Sequence, residues 1–385
     1  MKILFLDQSG ELGGAELFLA DLAGYYQDSC LVGLFADGSF SQLLAEKKIP
    51  HQVLTQKTIG VKKDSGLGKI LSSIFVLIPL IFTVAKLARQ YDLIYANTQK
   101  ALVVGALASI FARKPLIYHL HDILSPEHFS KINRAIALFL ANHFTSLIIA
   151  NSHATQTAFL EAGGKKELIT VVYNGFNLQH YQISPEVIRH TRESLGVSND
   201  QFVIGHFSRL SPWKGQHILL QALSQCPDNF IALLIGDALF GENDYVTSLH
   251  QQVKTLGLEN RVKFLGFRGD IPPLMSACDV VVHTSTAPEP LGRVVIEAML
   301  CGTPVVGSAS GGVLELIEDG KTGWLCTPAD SQELSAIMIN LRNNPTQTKS
   351  VSDQGLIFAQ KTFSIEEINQ KINYLSLKCQ KRTPC

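Results

Sequence analysis

The stretch 280–312 leaves a chain like this few ways to fold. Val280, Val281 and Val282 form a β-branched run of the buried-strand kind, which breaks into a turn-rich loop from Thr284 to Gly292 holding Pro288 and Pro290. Val294, Val295, Ala298 and Met299 then recur at helical spacing, predicting a helix from Arg293 to Leu300; Cys301-Gly302 ends it before a second strand from Thr303 to Val306. Strand, loop and helix in that order put the free N–H groups of a first helical turn at the carboxyl edge of a sheet. That is an anion site before any side chain is considered. Glu289 and Glu297 lie close to it. Read from the residues alone, the two acids either face the hydroxyls of a ligand whose anionic part sits elsewhere, or simply favour a helix start through the macrodipole.

The same strand, loop and helix unit recurs along the chain. Strand 2–7 runs into a loop with Gly10, Gly13 and Gly14 and then a helix over 15–26, with Leu17, Leu19, Ala20 and Ala23 among its apolar positions. This is a phosphate-cradling arrangement, although its spacing is not that of the dinucleotide fingerprint; a plain tight turn packing helix on sheet is the simpler alternative. No ribose-binding acid ends the next strand, 31–36, which argues against a dehydrogenase. Strands 92–96, 115–120, 147–150 and 171–172 deliver Asn97, His121-Asp122, Asn151 and Asn174 to the edge where ligands of open α/β sheets bind. His121 there suits a substrate hydroxyl or a proton near neutral pH, with His119 on the same side of its strand.

From 179 to 200 the chain turns polar, and we read it as a linker between halves. Strand 201–207 restarts the pattern, with Arg209 at the strand end and Lys214-Gly215 just before a helix over 217–224. Two cations so placed can converge on the anion site near Glu289; a planar fork and a point charge suit a diphosphate. Strand 231–235 ends in Gly236-Asp237, and strand 262–265 in Gly266-Phe267-Arg268. A final helix is expected over 364–378.

Composition narrows the partners. The chain has 385 residues, enough for two domains of ordinary size, and its 33 basic residues equal its 33 acidic ones, so no global basic field argues for nucleic acid. Seven scattered cysteines, none in a Cys-x-x-Cys pair, point to reduced thiols in a cytoplasmic setting without structural zinc. The N-terminus reads as a first strand, not a signal peptide. One segment departs from the pattern: 47–69 is basic, with Lys47, Lys48, Lys57, Lys62, Lys63 and Lys69 against Asp64, and 70–85 carries no charge, with Pro79 in its middle. It is shorter than the roughly twenty residues of a spanning helix, leaving a buried core helix or peripheral contact with an anionic membrane through 47–85 at its inner face.

The run from Glu289 to Met299, followed by Cys301 to Val306 and by Gly311-Gly312, resembles the acid-x7-acid signature of the retaining glycosyltransferases of family four, the group 1 transferases. The loop 208–215 resembles that family's Arg-x4-Lys-Gly phosphate loop, and 115–126 its strand followed by His-Asp. Leu291 stands where the family commonly has Phe. The matching motifs run from the first strand to about Asp330. The resemblance implies an α/β chain of GT-B class: two Rossmann-like domains facing each other across a cleft, 1–178 binding acceptor and 201–363 binding nucleotide-sugar, with a C-terminal helix, 364–385, crossing back to the first.

It further implies a UDP- or GDP-linked sugar donor and a saccharide or lipid acceptor. Glu297 would hold ribose hydroxyls, Glu289 a donor-sugar hydroxyl, and the Leu291 and Gly292 amides the phosphates. Pro290, Arg293, Val294, Gly236, Phe267, Arg268, Gly13 and Gly14 would border the donor; His121 would touch the transferred sugar, and Glu16, Asn151 and Asn174 the acceptor side. Arg209 and Lys214 would stabilise the departing diphosphate. No Asp-x-Asp triad occurs, which fits a transferase needing neither metal nor cofactor. Retention by attack on the face the diphosphate leaves is the expected course. The alternatives are a sugar-nucleotide 2-epimerase of the same architecture and an inactive GT-B binding module.

Overall fold

The structure, a computed structural model, describes residues 1–55, 67–126, 129–238 and 242–380, and of 67–76 the backbone only. Its first half runs β1 (Ile3–Asp7), α1 (Gly14–Tyr25), β2 (Cys30–Leu34), α2 (Ser39–Glu46), β3 (His51–Val53), α3 (Leu67–Ala88), β4 (Leu93–Ala96), α4 (Gln99–Ala112), β5 (Leu116–Leu120), α5 (Lys131–Phe144), β6 (Leu147–Ala150), α6 (His153–Glu161) and β7 (Ile169–Val171). The second runs α7 (Pro185–Ser194), β8 (Phe202–Phe207), α8 (Gln216–Leu223), β9 (Phe230–Ile235), α9 (Asn243–Thr255), β10 (Val262–Gly266), α10 (Ile271–Ser276), β11 (Val280–His283), α11 (Arg293–Leu300), β12 (Val305–Ser308), β13 (Trp324–Cys326), α12 (Ser331–Asn343), α13 (Pro345–Thr362) and α14 (Ile365–Gln380).

These elements form two units, Met1–Phe176 with Ile365–Cys385, and Asn177–Ser364. Each is built on one all-parallel sheet, in the orders β3-β2-β1-β4-β5-β6-β7 and β10-β9-β8-β11-β12-β13. Helices cover both faces of such a sheet, so its strands are apolar on both sides; β1 (ILFLD) and β9 (FIALLI) are buried at every position. In the first unit α3, α4 and α5 cover one face and α1, α2 and α14 the other. In each order the crossovers reverse direction once, between β1 and β4 and between β8 and β11. Loops leaving strands at such a reversal diverge and open a crevice at the carboxyl edge.

α14 packs on the first unit: Ile365, Ile368 and Ile372 enter its core, Tyr26 donates to Asn373 Oδ1 at 3.1 Å, and Lys371 reaches the Val171 carbonyl at 3.2 Å. The stretch 179–200, expected as a linker, folds as part of the second unit. Ser184 caps α7 with Pro185 at its first turn, and Arg192 bonds the Ala277 carbonyl at 2.8 Å and Asp279 Oδ2 at 3.2 Å. Strand β12 begins at Val305, because Pro304 has no N–H for the ladder; its carbonyl instead accepts from Val281 N at 2.9 Å. After Gly311 the chain makes a 3₁₀ turn, Gly312–Glu315, and α12 and α13 have no counterpart in the sequence reading.

The uncharged stretch 70–85 lies within α3, which passes through Pro79 unbroken. Its described side chains divide: Leu80, Ile81, Val84 and Ala85 enter the core, whereas Ile78 and Phe82 are exposed. Lys57, Lys62 and Lys63 lie outside the described residues. No helix among the described residues is long and apolar enough to cross a membrane.

Candidate active site

In the second unit the crevice between β8 and β11 is walled by the loop after β8, 208–215, and the loop after β11, 284–292. Backbone contacts lock the two together. Gly215 has a φ of 74°, and a Cβ there would meet the Thr284 carbonyl oxygen at 1.9 Å, so only glycine fits. Thr284 Oγ1 donates to the Lys214 and Gly215 carbonyls at 3.0 and 2.9 Å, and Thr286 N to the Trp213 carbonyl at 2.8 Å. Buried Gln216, on the first turn of α8, donates to the Arg209 carbonyl at 2.9 Å and thereby fixes the strand-end cation.

Charge gathers where these loops meet. Lys214 Nζ pairs with Glu289 Oε1, and the same oxygen receives Ser285 Oγ at 3.1 Å and faces His283 Nε2 at 3.2 Å. Burial by itself would raise the Glu289 pKa, but the Lys214 ammonium and His283 outweigh it and hold the carboxyl well below the ordinary range. Trp213 lies under both cations, with Lys214 Nζ 3.9 Å and the Arg209 guanidinium carbon 5.6 Å from its ring centre. Arg209 and Lys214 thus share one indole ring, and of the two it is Lys214 that pairs with Glu289. Glu289 is itself held by Gly311, whose φ of 60° suits glycine and where a Cβ would meet the Glu289 carbonyl oxygen at 2.3 Å.

Gly292, at φ 86°, turns the chain into α11, whose start has no side-chain cap. Leu291, where the resemblance leads one to expect Phe, is buried. Glu297 lies one turn into α11. Its Oε1 accepts from Arg293 Nε at 2.9 Å and from the Tyr181 hydroxyl at 3.1 Å. Pro290 and Val294 flank this turn, both partly buried. Gly236, at φ 131°, lets the β9 end pass against Ser208, and its N–H reaches the Gly266 carbonyl at 2.8 Å. Beside it Phe267 is exposed, while Arg268 is committed to Asp270 at 2.8 Å.

The first unit carries a second cluster at its own reversal point. Asp7 at the end of β1 accepts from Asn97 Nδ2 at 2.7 Å, and Asn97 Oδ1 faces His121 Nε2 at 2.9 Å. An amide already donating to Asp7 presents its oxygen to the ring, so His121 carries its proton on Nε2. Burial pushes the His121 pKa down to about 3, so the ring is neutral at neutral pH. His119 stacks on it, ring centres 3.9 Å apart, on the same side of the strand as expected.

Glu16 alters the picture of the glycine loop. Its carboxyl folds back over the α1 start, so that a Cβ on Gly13 would meet Glu16 Oε2 at 2.7 Å. Burial first, then Asp7 and Asp122, push its pKa up to about 8. The first turn past Gly13 and Gly14 thus already holds an acid of the chain's own. Asn151 is turned inward too, its Oδ1 accepting from Thr155 Oγ1 at 2.8 Å; Asn174 is buried. Sequence reasoning missed Trp213, His283, Ser285, Tyr181 and Asp7 as site residues, and for Trp213 the position between Arg209 and Lys214 was signal enough.

Residues 187–356 match the family of glycosyl transferases group 1, and residues 12–180 match glycosyltransferase family 4. The chain is 57 % identical to Anabaena HepE, which has been crystallised with UDP-glucose, over 98 % of this chain and 100 % of that one, with a TM-score of 0.91. The chain belongs to the group 1 glycosyltransferases. This glycosyltransferase has the GT-B fold, and it shares that fold with sucrose-phosphate synthase of Thermosynechococcus elongatus at 19 % identity and a TM-score of 0.83, each covered to 98 %. Among curated relatives, spore coat protein SA of Bacillus subtilis is 32 % identical over 228 residues, 55 % of this chain and 59 % of that protein. The chain spans 59–65 % of the length of the first such relatives.

Proposed function

We propose that the chain transfers glucose from UDP-glucose to a saccharide or lipid-linked hydroxyl, with retention and without a metal ion. What supports this reading is that Arg209 and Lys214 share the Trp213 ring and that Lys214 pairs with Glu289 at the β8/β11 reversal. Breaking the bond from sugar C1 to the diphosphate oxygen leaves negative charge on that oxygen. Two fixed cations and the bare first turn of α11 stabilise that charge as it grows, and electrostatic preorganisation of this kind is commonly the largest catalytic contribution. The choice of donor is supported by HepE, whose crystals hold UDP-glucose, UDP with glucose, and UDP.

Glu297, steadied by Arg293 and Tyr181, is assigned to the ribose hydroxyls, and the amides of Leu291 and Gly292 to the phosphates. Glu289, paired with Lys214, is assigned to a sugar hydroxyl, and a diphosphate in the crevice competes with it for that ammonium. In the first unit, His121 is assigned to a sugar hydroxyl. The acceptor hydroxyl attacks C1 on the face the diphosphate leaves, its proton passing to the departing oxygen, so no enzyme nucleophile is required.

Nucleotide release from UDP-glucose and from GDP-sugars, with and without acceptor and with chelator, tests this directly. Acceptor-dependent UDP release that survives chelation, with the product anomer read by NMR, is the expected result. Product formed from the donor alone would mean an epimerase; no release of any nucleotide under every condition would mean a binding module.

A further inference from the structure

Three adjacent helices on one face of the first unit present an outer surface of unusual composition. α3, α4 and α5 pack side by side over the sheet, and their inner residues, such as Val84, Leu102 and Leu140, belong to one core. Their outward residues should be polar, yet several large ones are apolar. On α3, Ile78 and Phe82 are 48 % and 56 % exposed; on α4, Ile110 and Phe111 are each 51 % exposed. On α5, Ile132, Ile136 and Phe139 recur at helical spacing, 67 %, 46 % and 55 % exposed, so this helix bears an apolar stripe outward as well as the one facing the core. Seven of the fourteen exposed large hydrophobic residues described thus lie on these three helices, and Phe82 and Phe111 touch, their rings 5.3 Å apart. Scattered single residues would be ordinary; a concentration of this kind marks an interaction surface.

Charge identifies the partner. In a chain with equal numbers of acids and bases, α3, α4 and α5 contain no Asp or Glu. Lys86 and Arg89 at the end of α3, Arg113 after α4 and Lys131 on α5 are exposed around the apolar positions. The opposite face of the same unit is mixed, with Asp21, Glu46, Glu366 and Glu367 on its helices. A second copy docked through this face would set like charges against like, because a two-fold interface meets itself. Apolar side chains rimmed by lysine and arginine match a bilayer, where the former enter the acyl boundary and the latter meet anionic headgroups.

We infer that the α3–α4–α5 face docks the protein on an anionic phospholipid membrane. The inference is independent of the transferase reading, since it uses none of the residues named at either reversal point; it narrows the acceptor to one that is membrane-borne or delivered there. The test uses the full chain with vesicles of mixed phosphatidylglycerol and phosphatidylcholine, and of phosphatidylcholine alone, read by sedimentation at low and high salt. Mixed vesicles are expected to capture the protein at low salt and release it at high salt. Phe82→Ser with Phe111→Ser and Ile136→Ser, all exposed positions, should weaken capture at least tenfold. Lys86→Glu with Arg89→Glu and Arg113→Glu should weaken it about a hundredfold, as roughly fivefold for each basic residue at an anionic surface implies. Circular dichroism checks that the variants fold. No capture at low salt, equal capture by phosphatidylcholine alone, or capture that both triple variants retain would overturn the inference. So would light scattering that shows a dimer abolished by the apolar triple variant.

Discussion

Lys214→Ala separates the two tasks assigned to this side chain, neutralising Glu289 and stabilising the leaving diphosphate. Glu289 is 8 % exposed and shares one oxygen among Lys214, His283 and Ser285. Leaving a buried charge wholly unpaired costs about 3–5 kcal/mol, but two partners remain here, so we expect a loss of about 2 kcal/mol. In a unit of this size that lowers the melting temperature by about 4–8 °C. Independently, removing one preorganised donor to developing charge costs about 3 kcal/mol, roughly a hundredfold in kcat. Thermal unfolding and UDP release from UDP-glucose at saturating donor read the two effects. Adding Glu289→Gln to Lys214→Ala removes the unpaired carboxylate and should restore most of the melting temperature without restoring turnover. If the double variant regains both, Lys214 acts only as the counter-ion of Glu289 and the proposed mechanism is wrong.

Trp213→Leu removes the aromatic surface beneath both cations and should weaken UDP binding about fivefold, from about 1 kcal/mol of cation–π contact; unchanged affinity by titration calorimetry would refute that role. Gly311→Ala places a Cβ 2.3 Å from the Glu289 carbonyl oxygen at a backbone angle that disfavours alanine, so turnover should fall with a stability loss of about 1–3 kcal/mol; a variant as active and as stable as the parent would contradict the geometry. Glu16→Gln tests the buried acid of the first unit. Folding raises the Glu16 pKa from 4.5 to about 8, so the neutral form stabilises the native state below the unfolded value and that contribution is lost as pH rises through the folded one. The melting-temperature advantage of Glu16→Gln over the parent should therefore open between pH 4.5 and about 8 and level off above; an advantage independent of pH would sink the assignment. The depressed Glu289 pKa runs the other way, with the Lys214 pair stabilising above the ordinary carboxylate range and failing only as pH falls well below it, so acid unfolding of the parent should be shifted to higher pH in Lys214→Ala.

Most of the architecture was legible in the chain, because the inner strands of an all-parallel sheet are buried on both sides and read as unbroken apolar runs, as β1 and β9 do. The loops after β8 and β11 stood out for the same reason: Arg209, Lys214 and Glu289 sit where apolar runs end, and the resemblance named the rest. The polar stretch 179–200 misled, since α7 buries no residue of its own and is tied down by polar contacts such as that of Arg192, which hydrophobic spacing does not record.

By itself the sequence determined which residues reach a carboxyl edge, since alternation and run length depend on local spacing. Which side chains share an oxygen was decided only by tertiary structure. Lys214 and His283 meet on Glu289 from different strand ends, Asn97 joins Asp7 to His121 across neighbouring strands, and Glu16 turns back onto its own helix start. Those meetings follow from the order in which strands pair within each sheet, and strand order brings together residues that are tens of positions apart in the chain. Their protonation depends on the same burial, which is a property of the packed molecule and not of any one segment.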